Sequence, residues 1–206
     1  MKLKQIASIV KTKKTIIISD SSSCQWISDG QAVYPIHNLP MLTPKNIFAM
    51  FDITGEQQSK FYVENRVLPA HLNFDDSDDT EYLIDRGKVS LTINGQALEP
   101  LETSQGLAFV NRKYLAPFSD LPDGYELYER TSKHGCVYIA VKSGFLLLGI
   151  IIPEQIINNE FINTLERWVR LSGISVGNGL YCAKDETYSQ TTCFDADNQP
   201  EEERDL

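Results

Sequence analysis

The sequence is poor in the residues that most often carry chemistry. It has three histidines (His37, His71, His134), four cysteines and two tryptophans in 206 residues. Cys24, Cys136, Cys182 and Cys193 are scattered, and no C-x-x-C pair occurs, so the usual zinc and dithiol spacings are absent. No N-x-S/T acceptor is present, and the basic N-terminus lacks the apolar stretch and small-residue cleavage site of a secretory leader. The most apolar run, Phe145 to Ile152, is bounded by Gly144 and Pro153 and is too short to span a bilayer. These absences lead us to expect a reduced, cytoplasmic protein with free thiols and no membrane contact.

No nucleophile elbow, phosphate loop or dinucleotide fingerprint appears. The histidines lie far apart in different kinds of segment, so each is expected at the surface or in a loop. Asp75, Asp76, Asp78 and Asp79 cluster, but without the glycine and closing glutamate of a calcium loop, and a solvated loop is expected. We therefore expect no catalytic residue, no metal ligand and no cofactor, and a protein that is not an enzyme.

What is there begins with Trp26 to Pro40, W-I-S-D-G-Q-A-V-Y-P-I-H-N-L-P. Asp29-Gly30 between two apolar runs predicts a tight hairpin, read as a type I′ turn. Pro35 and Pro40 end the second run. A related pattern starts at Ala108 and runs to Pro122, with identity at Pro35/Pro117, Leu39/Leu121 and Pro40/Pro122. We read this as a faint internal duplication.

Along the chain, Lys2 to Lys13 predicts an amphipathic helix with Leu3, Ile6 and Val10 on its apolar stripe and Lys4, Ser8 and Lys11 on another face. Thr15 to Ser19 predicts a buried strand. Thr43-Pro44 has the form of a helix start, with Ile47, Phe48 and Phe51 facing inward. Lys60 to Leu72 reads as extended, with Phe61, Val63 and Val67 inward. Asn73 to Glu81 reads as an acidic linker or surface excursion. Arg86-Gly87, Asn94-Gly95 and Asp123-Gly124 are turn signals, and Cys136 to Ile152 is a hairpin turning at Lys142-Ser143-Gly144. Pro153 to Ser172 predicts a helix with Ile157, Phe161, Leu165 and Trp168 as a buried stripe. Gly173 to Leu206 reads as an irregular acidic tail.

The formal net charge is −9, which disfavours indiscriminate binding to anions but permits a local basic patch. Lys4, Lys11, Lys13 and Lys14 cluster on the first helix, Lys45 opens the middle one, and Arg167 and Arg170 share a face of the last. Each is an ordinary solvated helix face or, with the acids segregated elsewhere, a surface for phosphate backbone.

I-S-D-G-Q-A-V-Y-P-I (Ile27 to Ile36) and L-T-P-K-N-I-F-A-M-F (Leu42 to Phe51) resemble the strand, D-G turn and P-x-K helix start of bacterial DNA sliding clamps. The resemblance covers about a quarter of the chain. It implies an α+β fold of two pseudo-repeated antiparallel β units with short amphipathic helices: residues 1–78, residues 79–172, and the tail 173–206. It also implies a non-catalytic processivity factor, as in a phage or prophage, that self-associates into a ring. Duplex DNA would be contacted without sequence preference through Lys4, Lys11, Lys45, Arg167 and Arg170, and a polymerase would be a partner. The second expectation is a protein-binding or self-assembling module with no DNA role. An enzyme of unrecognised type is the third.

Overall fold

Thr15–Asp20 (β1) is rich in β-branched side chains, which lose little by standing on a pleated surface. In the computed structural model, which describes residues 1–22, 24–154, 156 and 159–171, β1 lies one strand in from the edge of an eight-stranded sheet. The order is Tyr62–Asn65 (β4), β1, Gln25–Ser28 (β2), Ala32–Ile36 (β3), Leu146–Ile151 (β11), Val137–Ser143 (β10), Glu126–Thr131 (β9) and Tyr82–Leu83 (β5). β1 and β4 run parallel, and the other pairs are antiparallel. A second, three-stranded antiparallel sheet holds Leu91–Ile93 (β6), Gln96–Thr103 (β7) and Gly106–Asn111 (β8). The helices are Leu3–Lys13 (α1), Pro44–Met50 (α2), Gly55–Gln58 (α3) and Asn159–Leu171 (α4). The fold class is α+β, as expected.

The large sheet buries both faces. On one, Ile16, Ile18, Ile27, Tyr34, Ile139, Val141 and Ile151 pack against Ile6, Ile9 and Val10 of α1, Ile47 of α2, Leu101 and Val110 of the small sheet, and Tyr114 and Phe118. On the other, Trp26, Tyr138, Ala140, Leu147 and Ile150 receive Leu68, Leu72 and Phe74 from a strap, residues 66–81. β10 shows the period of two directly: Ile139 and Val141 point one way, Tyr138 and Ala140 the other.

The expected boundary between residues 78 and 79 is not a boundary. β3 from the first half pairs with β11 from the second, and the chain divides instead into Met1–Ile156 and Ile157–Leu206. The duplication is not repeated in the backbone either. The first copy is the β2–β3 hairpin, whereas the second runs from β8 into two 3₁₀ turns, Arg112–Tyr114 and Ala116–Phe118. Asn111 is the reason: its carboxamide oxygen accepts from the Lys113 amide at 3.2 Å and caps the first of those turns.

The turn at Asp29-Gly30 is present but shifted by one residue. Gly30 and Gln31 are the central pair, and only Gly30 has positive φ (91°), which is the II′ pattern rather than I′. The Asp29 carboxylate closes it, with Oδ1 accepting from the Gln31 and Ala32 amides at 2.9 Å each. Asn94-Gly95 forms the expected turn, and φ of 50° and 75° make it type I′. The β10–β11 loop is Gly144-Phe145, one residue later than expected. Arg86-Gly87 makes no hairpin, because β5 pairs with β9 and β6 pairs with β7. Val67 is 85% exposed rather than inward.

The acidic segment is docked rather than a free excursion. Arg130, 0% exposed, donates to Glu81 Oε2 through Nε (2.8 Å) and Nη2 (2.5 Å). It also donates to the carbonyls of Asn73, Asp75 and Asp76. Lys142 Nζ donates to Glu81 Oε1 at 2.5 Å and lies over the Tyr128 ring. Phe74 meets Trp26 edge to face. α4 is described over Asn159–Leu171, and Glu154, expected in its first turn, instead has its amide donating to Phe109 O at 2.7 Å. Leu165 and Trp168 are exposed, which corrects the expected buried stripe. Ile157 and the tail 173–206 lie outside the described residues.

Replacing Gly30 by Val is expected to destabilise the chain by roughly 1–3 kcal/mol, because a β-branched residue resists φ of 91°. Urea unfolding measures this, and an unchanged midpoint would contradict the turn. Glu81→Gln leaves Arg130 and Lys142 buried without a full counter-charge. It is expected to cost about 3–5 kcal/mol, with faster amide exchange across residues 73–81.

Candidate nucleic-acid interface

α1 is held by packing rather than by its caps. Lys2 supplies no side-chain cap, and no acid occupies the first turn. Ile6, Ala7, Ile9 and Val10 are buried, while Lys11 and Lys13 in the last turn complement the partial negative charge of the helix C-terminus. Lys14 ends the helix in the left-handed region (φ 53°), its amide donating to Val10 O. The chain from Met1 to Ser19 contains five lysines and no acid.

Of these lysines, Lys2 is already engaged: its ammonium donates to Ser119 Oγ at 3.2 Å and pairs with Asp120. Lys4, Lys11, Lys13 and Lys14 are exposed, and among the described residues none forms an ion pair. Lys4, Ser8, Lys11 and Thr12 line one wall of an open cleft of about 620 Å³. The facing wall is Met50, Phe51 and Asp52, where α2 ends and Asp52 takes φ of 51°. The Thr12 hydroxyl donates to Ser8 O at 2.9 Å, which keeps that side chain against the helix.

α2 starts as its sequence predicts, with Thr43 Oγ1 accepting from the Asn46 amide at 3.3 Å and Pro44 in the first turn. Lys45 is exposed on this turn but does not line the cleft. Arg167 and Arg170 belong to the other compact unit, on α4, where Arg170 meets Glu166 at 3.6 Å one turn away. Of the five expected contact residues, Lys4 and Lys11 thus share a site. Thr12 and the Met50–Asp52 wall were missed. Thr12 was legible as the residue four after Ser8 on the same helix face; the α2 wall depends on tertiary packing and had no local signal.

The opposite face of the sheet carries a different feature. Beneath the strap lies an apolar groove of about 230 Å³, bounded by Ile17, Val33, Ile150, Leu68, Leu72 and Phe74, with Arg66 and His71 also on its lining. Arg66 is committed to Glu64 at 2.5 Å.

A buried polar network supports the hairpin on the α1 side of the sheet. The Tyr114 hydroxyl donates to Asp29 Oδ2 at 3.0 Å, and the Tyr34 hydroxyl donates to Tyr114 O at 3.0 Å. Burial, and then the Asp29 carboxylate, hold both phenols protonated well above their ordinary range. No cluster of three or more metal-ligating side chains occurs among the described residues, and no helix there is long and apolar enough to cross a membrane.

Comparison of the chain with protein-family models, with curated proteins and with solved structures yields no match.

Tyr114→Phe leaves the buried Asp29 carboxylate short of one donor and is expected to cost about 1–3 kcal/mol. The native phenol resists ionising while the unfolded one ionises near pH 10. This contribution is therefore complete below pH 10 and lost as pH rises above it. Unfolding midpoints between about pH 8 and pH 11 should show a steep alkaline loss in the parent chain and a shallower one in the variant.

Proposed function

We propose that the chain is a non-catalytic, clamp-like accessory protein that lays α1 against duplex DNA and contacts phosphates without reading sequence. The observation that carries this reading is the solvent face of α1. It presents Lys4 and Lys11, with Lys13 and Lys14 following at the helix C-terminus, and none of the four has an ion-pair partner among the described residues, in a chain whose net charge is −9. Exposed cations on a rigid element suit phosphate contacts, and the Ser8 side chain beside Lys4 and Lys11 adds a hydroxyl. Lys45 is a further exposed cation of the same unit. Arg167 and Arg170 on α4 would be a separate pair of cations, on the other unit.

The partial resemblance of Ile27 to Ile36 and Leu42 to Phe51 to sliding clamps agrees with this reading. The duplication does not support it, since its second copy has another backbone path. The reading therefore rests on charge placement. A ring of several copies, with a polymerase as partner, is the assembly the resemblance implies.

The second reading, a protein-binding module with no DNA role, is favoured by the apolar groove beneath the strap. The two separate on one experiment. Fluorescence anisotropy with a short duplex is expected to show binding that weakens as salt rises from 50 to 200 mM, by about 0.9 in log–log slope for each phosphate neutralised. The double reversal Lys4→Glu, Lys11→Glu should reduce that slope by about 2 and leave the unfolding midpoint unchanged. Binding that is indifferent to the double reversal removes α1 from the interface. Absence of binding at 50 mM salt favours the second reading.

A further inference from the structure

We propose that His71 and His134 form a two-histidine site for a divalent cation that prefers imidazole, such as Ni²⁺, Zn²⁺ or Cu²⁺, tying the strap to the β9–β10 loop. The two residues are 63 positions apart in sequence, yet their rings lie with centroids 5.1 Å apart and planes inclined at 36°. Two imidazoles on adjacent positions of one ion, each nitrogen about 2.0–2.1 Å from it, place their ring centres about 5 Å apart. The observed separation already has that value.

Backbone contacts hold the two residues beside each other. The Lys133 amide donates to His71 O at 3.0 Å, joining strap to loop at the histidine itself. The loop is closed by Ser132 N to Cys136 O at 2.9 Å and Gly135 N to Ser132 O at 2.8 Å, with Gly135 at φ 79°. Little backbone ordering remains to oppose binding. Both side chains are exposed, so an ion reaches them from solvent. No third His, Cys, Asp or Glu stands with them among the described residues, so water completes the shell and the site is open and exchangeable. Imidazole pairs of this kind select ions late in the first transition row over Mg²⁺ and Ca²⁺. Because His71 also lines the apolar groove, the ion would hold the strap closed over it.

The test is titration of the full chain with NiCl₂ by calorimetry, alongside His71→Ala, His134→Ala and His37→Ala. The parent and the His37 variant are expected to bind one ion. Each of the other two variants should lose about tenfold or more in affinity. Thermal midpoints should rise with Ni²⁺ in the parent and not in those two variants, which also checks that they fold. Equal binding in both variants would place the metal elsewhere and overturn the site. Absence of any heat up to ~1 mM would overturn it as well.

Discussion

One half-buried carboxylate organises the face of the large sheet under the strap. Glu81 receives Arg130 on one oxygen and Lys142 on the other, and both cations are almost wholly removed from water. Three charges in such a place are tolerable only if every donor finds an acceptor. Arg130 therefore takes the carbonyls of Asn73, Asp75 and Asp76 as well, and Lys142 rests on the Tyr128 ring. Those acceptors all come from the strap or from the sheet beneath it. The strap has one position that satisfies the group, and that position places Leu68, Leu72 and Phe74 over Trp26, Tyr138 and Ile150. What the cluster supplies is uniqueness of docking more than net stability, since apolar side chains of similar volume often serve stability as well.

The same arrangement separates charge. Asp75, Asp76, Asp78, Asp79 and Glu81 belong to the strap, and α1 with its lysines packs on the other face of the sheet. Packed layers stand roughly 10 Å apart, so strap and helix are separated by more than a Debye length at physiological salt, about 8 Å. The acidic strap therefore does little to neutralise the field in front of α1. Net charge is a poor guide to such a surface: −9 describes the whole chain, while the first nineteen residues contain only cations.

Local signals were legible and long-range pairing was not. The helix at Leu3–Lys13, the Thr43-Pro44 start and the Asn94-Gly95 turn are each specified by neighbours within a few residues, and each formed where its chemistry placed it. Asp29-Gly30 gave the hairpin but not its type, because the deciding bonds come from the Asp29 side chain to Gln31 and Ala32. The pairing of β3 with β11 joins residues more than a hundred positions apart and has no local pattern. The strap was misread because its acids dominate its composition, while the residues that dock it, Arg130 and Lys142, sit on distant strands. Of the site, Lys4 and Lys11 could be placed together by helical spacing. The meeting of His71 with His134 could not, since nothing near either residue refers to the other.

The size of the basic face bears on how it would be used. Lys4 and Lys11 on one helix face, with Lys13 and Lys14 at its end, would make at most about four phosphate contacts, and sequence-independent binding of this kind is weak at physiological salt, with dissociation constants of about 10⁻⁴ to 10⁻⁶ M. A single copy would leave DNA quickly. Residence would then come from another source: several copies acting together, where effective concentration multiplies weak contacts, or a closed ring that is linked to the duplex and needs no strong contact. Weak contacts suit the second case better, because a tracking protein has to move along its track. Association between copies would thus follow from the modest charge of α1 and not from the internal duplication.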